Sequence, residues 1–450
     1  MTAPARTAAY QALRAIDTLR ADLPTALQAS RHALDDERDR SLTADIVTGT
    51  LRWQRSLDYL IERYSRRPVA RLDAEVVLIL RLTLYQLLHL DRVPASAAVD
   101  DAVDLTRGVR KTSAAGFVNA VLRSVLRQRH KLPLPPRPSN PADRDAALAY
   151  LGITHSHPDW LVAHWLTRYG FDGAERWVQF NNAPPALTLR VNRLQATRDA
   201  AIAALAEDGI ETEPARFAPD GLVVIRGNPL RRQQDGLVFV QDESSQLVAS
   251  VVQASRGEQI LDLCAAPGGK TIAMAADMHD DGVIVASDVR PRRLALLQDT
   301  VRAAGARCVS VVRVPTAGGL PFGPRFDAVL VDAPCSGLGT VRRDPDIRWR
   351  RRETDLALLP RQQLALLARA AEVTRVDGRL VYATCSSEPE ENEGVVAAFL
   401  AARSDFRLVD LHAGAAPAVA PFVDDQGFFR TTPAEHGLEA FFAAVFVRRT

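Results

Sequence analysis

The 450-residue sequence predicts an α/β protein built on a doubly wound, largely parallel sheet, preceded by an all-helical domain and a small α+β module. Three observations carry that prediction. Residues 1 to about 130 hold apolar stripes at helical spacing. Five prolines between Pro133 and Pro141 then interrupt the chain as a stiff linker. From about Gly236 onward, short apolar runs alternate with helical patterns, and three of those runs end in turns containing glycine, proline or cysteine.

Taken in order, the helical domain (1–130) has one apolar stripe through Ile46, Trp53, Leu57, Leu60, Ile61 and Tyr64. Val76 to Leu90 is apolar nearly all round, which predicts a buried central helix. The linker spans 131–145. The α+β module (146–235) opens with helical patterning around Trp160, Leu161 and Trp165. It continues with a strand at Leu187 to Val191, a helix at Thr197 to Glu207 and a strand at Leu222 to Ile225. The remaining residues, 236–450, form the α/β domain, whose last strand is expected near Phe441 to Val447.

The chemistry concentrates at three strand ends. Ile260, Leu261 and Leu263 read as a buried strand running into LDLCAAPGGKT, Leu261 to Thr271. The turn Ala266, Pro267, Gly268, Gly269 brings backbone N–H groups close to a ligand before a helix from about Lys270. A second run, Val283 to Ala286, ends at Asp288, twenty residues after Gly268, where nucleotide-binding units keep the carboxylate that bonds ribose hydroxyls. A phosphate-binding P-loop would need glycine at the position of Cys264, and a dinucleotide fingerprint would need G-x-G-x-x-G; neither is present.

Phe326 to Val331 (FDAVLV) is the next strand, with Asp332, Ala333, Pro334 and Cys335 just past its carboxyl end, where open α/β sheets place their ligands. Leu380 to Ala383 repeats the arrangement and delivers Thr384 and Cys385. Cys264 and Cys308 suit the ordinary role of a small core hydrophobe. Cys335 and Cys385 suit it poorly, because both follow strands on the side that carries the turn. The four cysteines include no C-x-x-C pair and no histidines cluster near them, so no metal site is expected.

These motifs resemble, over nearly the whole chain, the RNA 5-methylcytosine methyltransferases that use S-adenosylmethionine. The domain order is similar to that of the bacterial small-subunit ribosomal RNA cytosine-C5 methyltransferases of the Sun/Fmu type. Residues 1–130, including VPASAAVDDAVDLTRGV, resemble the NusB-like RNA-binding helical domain, and 146–235 resembles the family's pre-methyltransferase module. The resemblance implies a Rossmann-like class I methyltransferase domain over 236–450. It implies Cys385 of the Thr-Cys motif as nucleophile and Cys335 of the Pro-Cys motif as the group that helps release product, with Asp332 and Lys270 completing the catalytic set. The implied S-adenosylmethionine contacts are Cys264, Ala265, Ala266, Pro267, Gly268, Gly269, Lys270, Asp288 and Asp332. The family usually places an acidic residue near the adenine after its fourth strand; here Arg313, Val314, Pro315 and Thr316 stand instead.

A thiol suits this reaction. C5 of cytosine is a poor nucleophile until a thiolate adds to C6 and turns the ring into an enamine, after which the C5 proton and the enzyme must both leave. Asp332 is expected to hold the N3/N4 edge of the base during addition. Methylation of exocyclic amines needs no thiol and uses a D/N-P-P-Y/F motif, which DAPC is not. Three alternatives stay open: a transfer RNA target, a catalytically inert RNA-binding adaptor, and DNA methylation with the Pro-Cys thiol as nucleophile.

Composition fits a multidomain cytoplasmic enzyme, expected as a monomer, with 47% apolar residues and a formal charge of only +2. The N-terminus lacks a signal-peptide core, and Val76 to Leu90 is too short and too polar to span a bilayer. RNA affinity must therefore come from local patches. Arg107 to Lys131 carries seven Lys/Arg and no acid, including Arg123 and Arg127. Arg342 to Arg352, RRDPDIRWRRR, has six arginines against two aspartates, and Trp349 within it is available to stack on an unpaired base. Arg342, Arg343, Arg123, Arg127 and Trp349 are the expected RNA contacts, with Arg190 and Asn192 as further candidates. An ordinary solvated helix face explains the same letters.

Overall fold

The computed structural model describes residues 2–229 and 235–449. The chain divides into two compact units, one of residues 1–184 with 341–351, the other of residues 185–340 with 352–450.

The first unit is helical. Its helices are α1 (Pro4–Asp17), α2 (Leu23–His32), α3 (Glu37–Arg52), α4 (Gln54–Ser65), α5 (Ala74–His89), α6 (Ala95–Gly108), α7 (Ala115–Arg127), α8 (Arg144–Ala149) and α9 (Asp159–Asn182). As the uniform apolarity of its sequence required, α5 is buried nearly all round, from Val76 to Leu80 and from Leu82 to Gln86. Its one charged interior residue, Arg81, forms a two-pronged pair with Asp58, at 2.6 and 2.8 Å. Helix α7 is amphipathic: Val118, Val121, Leu122 and Val125 are buried, while Arg123 and Arg127 are exposed one turn apart. Gly170 interrupts α9 at φ 66°. The division between units falls at Pro184, inside the range 146–235, because α9 buries Leu161, Trp165 and Trp177 with the helical unit.

The second unit holds two sheets. The smaller is antiparallel, built from β1 (Thr188–Val191), β2 (Glu211–Pro214), β3 (Gly221–Arg226) and β4 (Val238–Val240) in the order β2-β3-β1-β4, with a helix at Arg198–Glu207. That helix starts where Thr197 accepts a hydrogen bond from the Ala200 N–H. The larger sheet contains β5 (Gln259–Asp262), β6 (Val283–Asp288), β7 (Val309–Arg313), β8 (Phe326–Asp332), β9 (Thr374–Thr384), β10 (Phe406–Leu408), β11 (Phe429–Thr431) and β12 (Phe441–Arg448). Its order is β10-β12-β9-β8-β5-β6-β7, with β11 paired to β12. Strands β5 to β9 pair in parallel, and β12 closes the far side antiparallel to β9.

Alternation along each parallel strand supplies both faces. Ile260, Ile284, Ala328, Leu330 and Val381 enter one apolar cluster with Leu247, Val248 and Met274. Leu261, Val285, Val329, Val331 and Leu380 enter another with Leu367, Ala371 and Phe399. The order reverses between β5, which leads to β6 and β7, and β8 on its other side, so the carboxyl ends of β5 and β8 flank the switch point where such sheets bind ligands. Among the described residues, no helix is long and apolar enough to cross a membrane, and no acid, cysteine or histidine cluster could hold a metal ion.

Candidate active site

At the carboxyl end of β5, the Gly268 N–H donates to the Ala265 carbonyl at 2.7 Å, and Gly268 takes φ +109° as the cap of the helix Gly269–Asp277. A side chain at Gly268 would meet Leu297 Cδ1 at 2.9 Å, so the glycine serves both the turn and the packing of the neighbouring helix Pro291–Ala304. Asp262, the last residue of β5, is buried. One of its oxygens accepts the Thr271 hydroxyl at 2.7 Å, and the other has no partner among the described residues. Burial pushes its carboxyl up to about 7, with the Asp332 charge adding and Thr271 opposing. Asp288, at the end of β6, accepts the Arg290 backbone N–H at 3.0 Å and lies 3.4 Å from Arg293, which also donates to the Ala266 carbonyl at 2.6 Å. Cys264 is half-buried, and its desolvation pushes the thiol up to about 12, so it stays protonated.

The second strand end holds a charge pair. Lys270 Nζ lies 2.7 Å from Asp332 Oδ2 and 3.1 Å from Ser245 Oγ. Burial disfavours the ammonium, but Asp332 more than offsets it and the lysine pKa rises, which fixes Lys270 as a cation.

The thiols meet. Cys335 Sγ, after β8, lies 3.3 Å from Cys385 Sγ, after β9. The parallel register that sets Asp332 opposite Ala383 brings the two loops level. The hydrogen bond to Cys385, then burial, pushes the Cys335 thiol well above its ordinary range, and the Glu391 charge adds to this. Gly339 is pinned against the Cys385 loop, its N–H donating to the Cys385 carbonyl at 3.0 Å.

The family model described as 16S rRNA methyltransferase RsmB/F matches residues 249–447, a NusB family model matches 3–127, and an RsmF/B-like ferredoxin-like domain model matches 157–231. A probable ribosomal RNA small subunit methyltransferase B of Bacillus subtilis is 34% identical over 411 residues, covering 90% of each chain. The chain belongs to the ribosomal RNA small subunit methyltransferase B family. Its Pseudomonas putida relative is 36% identical over 420 residues, 90% of this chain and 91% of that one. A solved methyltransferase homologue from Pyrococcus horikoshii is 27% identical with a TM-score of 0.56, covering 68% of this chain and 99% of that one.

Within this RNA methyltransferase, the structure brings together the turn Cys264 to Gly269, Lys270, Asp332, Cys335 and Cys385 at one end of the sheet. It does not leave the basic run at 342–352 as the free face expected. Residues 341–351 belong to the helical unit. Arg348 is 0% exposed, its guanidinium donating to the carbonyls of Ser156 (2.9 Å) and Asn181 (3.3 Å) and to Asn182 Oδ1 (3.0 Å). The Trp349 indole N–H donates to the Leu51 carbonyl at 2.6 Å, and the ring is only partly exposed. Arg342 donates to the Ala183 and Pro184 carbonyls and stacks over Phe180 at 4.4 Å. Arg342 and Arg348 are thus engaged mainly by backbone carbonyls, while Arg350 and Arg352 stay exposed, Arg350 pairing with Asp346. Arg343 is half-buried within the same segment. Arg190 and Asn192 are corrected too: at 3% and 1% exposure they are interior, and Asn192 bridges the Gly236 and Ala304 carbonyls. At the end of β7, where the family's acid was expected, Val314 is buried and its N–H reaches the Asp288 carbonyl at 3.4 Å.

Sequence reasoning missed Ser245, Arg293, Glu391 and Asn392. Only the nearness of the EPEENE run to Cys385 could have signalled the last two.

Proposed function

We propose that this chain methylates C5 of a cytosine in small-subunit ribosomal RNA, with Cys385 adding to C6 as the nucleophile. The observation that supports it most is the pair of thiols 3.3 Å apart at the ends of β8 and β9, beside the Lys270–Asp332 pair. S-adenosylmethionine supplies an electrophilic methyl group on a sulfonium when bound. The residues present suit it: a tight glycine turn at Gly268 opening the helix Gly269–Asp277, the Asp288 carboxylate for ribose hydroxyls, and a buried oxygen on Asp262 without a partner among the described residues.

Lys270 takes one oxygen of Asp332 and orients the carboxyl, which then holds the N3/N4 edge of the base while negative charge builds on the ring. Cys385 forms the bond to C6. Cys335 keeps its proton at rest because its thiol is half-buried against the Cys385 sulfur, 3.3 Å away, where a second negative charge is disfavoured. Once that sulfur is bonded to carbon it is a weaker acceptor, and the Cys335 thiol moves back toward its ordinary range and can release its proton to solvent; the resulting thiolate takes the C5 proton while the C6–S bond breaks, the C5–H electron pair restoring the ring double bond and Cys385 leaving as thiolate.

Incubation with methyl-labelled S-adenosylmethionine and separated cellular RNAs, followed by mapping of the labelled base, tests the reading. Label at cytosine C5 of small-subunit RNA is the expected result. Label confined to transfer RNA would redirect the substrate, and label on an exocyclic amine would overturn the thiol chemistry.

The exposed arginines of the helical unit provide a separate test. Arg123 and Arg127 project from the polar face of α7, and Arg129 follows just beyond its end. They are proposed to position RNA by its phosphates without touching the chemistry. Each neutralised phosphate contributes about −0.7 to −0.9 to the slope of log affinity against log salt, so replacing all three by Ala flattens that slope by roughly 2. Turnover at saturating RNA and cofactor affinity change little. An unchanged salt dependence would make this face ordinary solvated surface.

A further inference from the structure

Glu391 is 0% exposed, and among the described residues no cation pairs with it. A carboxylate buried without a partner cation costs several kcal/mol unless hydrogen bonds satisfy it. Here three do. Oε1 accepts the Ser336 backbone N–H and Gln363 Nε2, both at 2.8 Å, and Oε2 accepts the Ser386 hydroxyl at 2.6 Å. Ser336 is the residue after Cys335, and Ser386 is the residue after Cys385. The two serine hydroxyls also lie 3.1 Å from each other.

The surroundings hold the carboxylate still. The Tyr382 hydroxyl donates to the Glu391 carbonyl at 2.6 Å, and Gln363 Nε2 reaches the Pro334 carbonyl at 3.2 Å, just before Cys335. The next residue, Asn392, brackets Cys385 itself: its Oδ1 accepts the Thr384 hydroxyl at 2.6 Å and its Nδ2 donates to the Ser386 carbonyl at 3.1 Å.

We infer that Glu391 is the positioning residue that holds the two thiols at working distance, one carboxylate oxygen gripping the loop after Cys335 and the other the loop after Cys385. It acts through the serine that follows each cysteine. Its negative charge has a second effect, since a carboxylate beside Cys335 disfavours the Cys335 thiolate and so helps keep the proton on that thiol while Cys385 attacks. The purpose of this clamp rests on the two-thiol reading above, but its geometry can be measured with neither RNA nor methyl transfer.

Phenylarsine oxide reports the spacing directly: two thiols replace the arsenic-bound oxygen, forming two As–S bonds and releasing one water. Binding to the full chain is titrated for the parent and for E391A, E391Q and S386A, with C335A and C385A as controls that abolish chelation. E391A is expected to weaken arsenical binding at least about 10-fold, S386A by a smaller factor, while E391Q, which keeps an acceptor for Ser336, stays within about 3-fold. S-adenosylmethionine affinity is expected to stay within about 2-fold in all three, which separates a lost clamp from a lost fold. Parent-like arsenical affinity in E391A overturns the inference, as does E391Q weakening as much as E391A. Should E391A fail to fold, parent-like affinity in S386A overturns it in the same way. Loss of methyl transfer with intact chelation in the parent would fault the proposed reaction and leave the clamp standing.

Discussion

Cys385→Ala is expected to abolish methyl transfer, by ~1,000-fold or more as for other lost covalent nucleophiles, and to leave no covalent RNA complex. Cys335→Ala is expected to do the opposite on a denaturing gel: it binds RNA, forms the bond from Cys385 to C6, accepts the methyl group and stalls, so a slow-moving protein–RNA band accumulates. At 3.3 Å one sulfur can bond carbon while the other manages the proton, and the resemblance to the family implies that Cys385 is the one that bonds. Adduct accumulating in the Cys385 variant would reverse the two roles. Equal loss of adduct in both variants would mean that the second thiol is needed for addition itself.

The second large effect is expected at Gly268. A valine there must adopt φ +109° and place its Cβ 2.9 Å from Leu297 Cδ1 and 3.2 Å from Thr300 Cγ2. Backbone strain alone costs about 1–3 kcal/mol, and relief requires the helix Pro291–Ala304 to shift away from the turn. Gly268→Val is therefore expected to lose S-adenosylmethionine binding below detection in calorimetric titration. Asp288→Ala should weaken it less, by about 1.5–3 kcal/mol for each charge-assisted hydrogen bond removed. Unchanged cofactor affinity in both variants would place the site elsewhere.

How much of this was legible in the letters depended on whether the deciding contacts were local. Strands β5, β6 and β8 could be read because parallel strands buried on both faces are short runs of apolar and β-branched residues closed by turn residues, and the ligand-bearing turns lie directly after them. Helix α5 could be read because no polar face interrupts it. Arg348 could not. A run of six arginines reads as solvated charge, and the carbonyls that receive this one lie near residues 156 and 181, far back in the chain. Arg190 misled differently: it is buried over the Phe239 ring, and its guanidinium finds no hydrogen-bond acceptor among the described residues. Glu391 and Asn392 were missed for another reason: EPEENE has the composition of an exposed turn, and only the meeting of the β8 and β9 loops buries Glu391 and Asn392 within it.

The excursion of residues 341–351 bears on how this enzyme can be taken apart. A fragment cut at Pro184 to isolate the methyl-transferring half would keep this segment but strip away Leu51, Ser156, Asn181 and Asn182, the acceptors that receive Trp349 and Arg348. The orphaned arginine would seek water, and an eleven-residue stretch beginning six residues past Cys335 would lose its moorings. The helical part is thus less an appended recognition module than a scaffold on which a piece of the catalytic sequence is mounted. Grafting or swapping that half is best done with the segment exchanged as well.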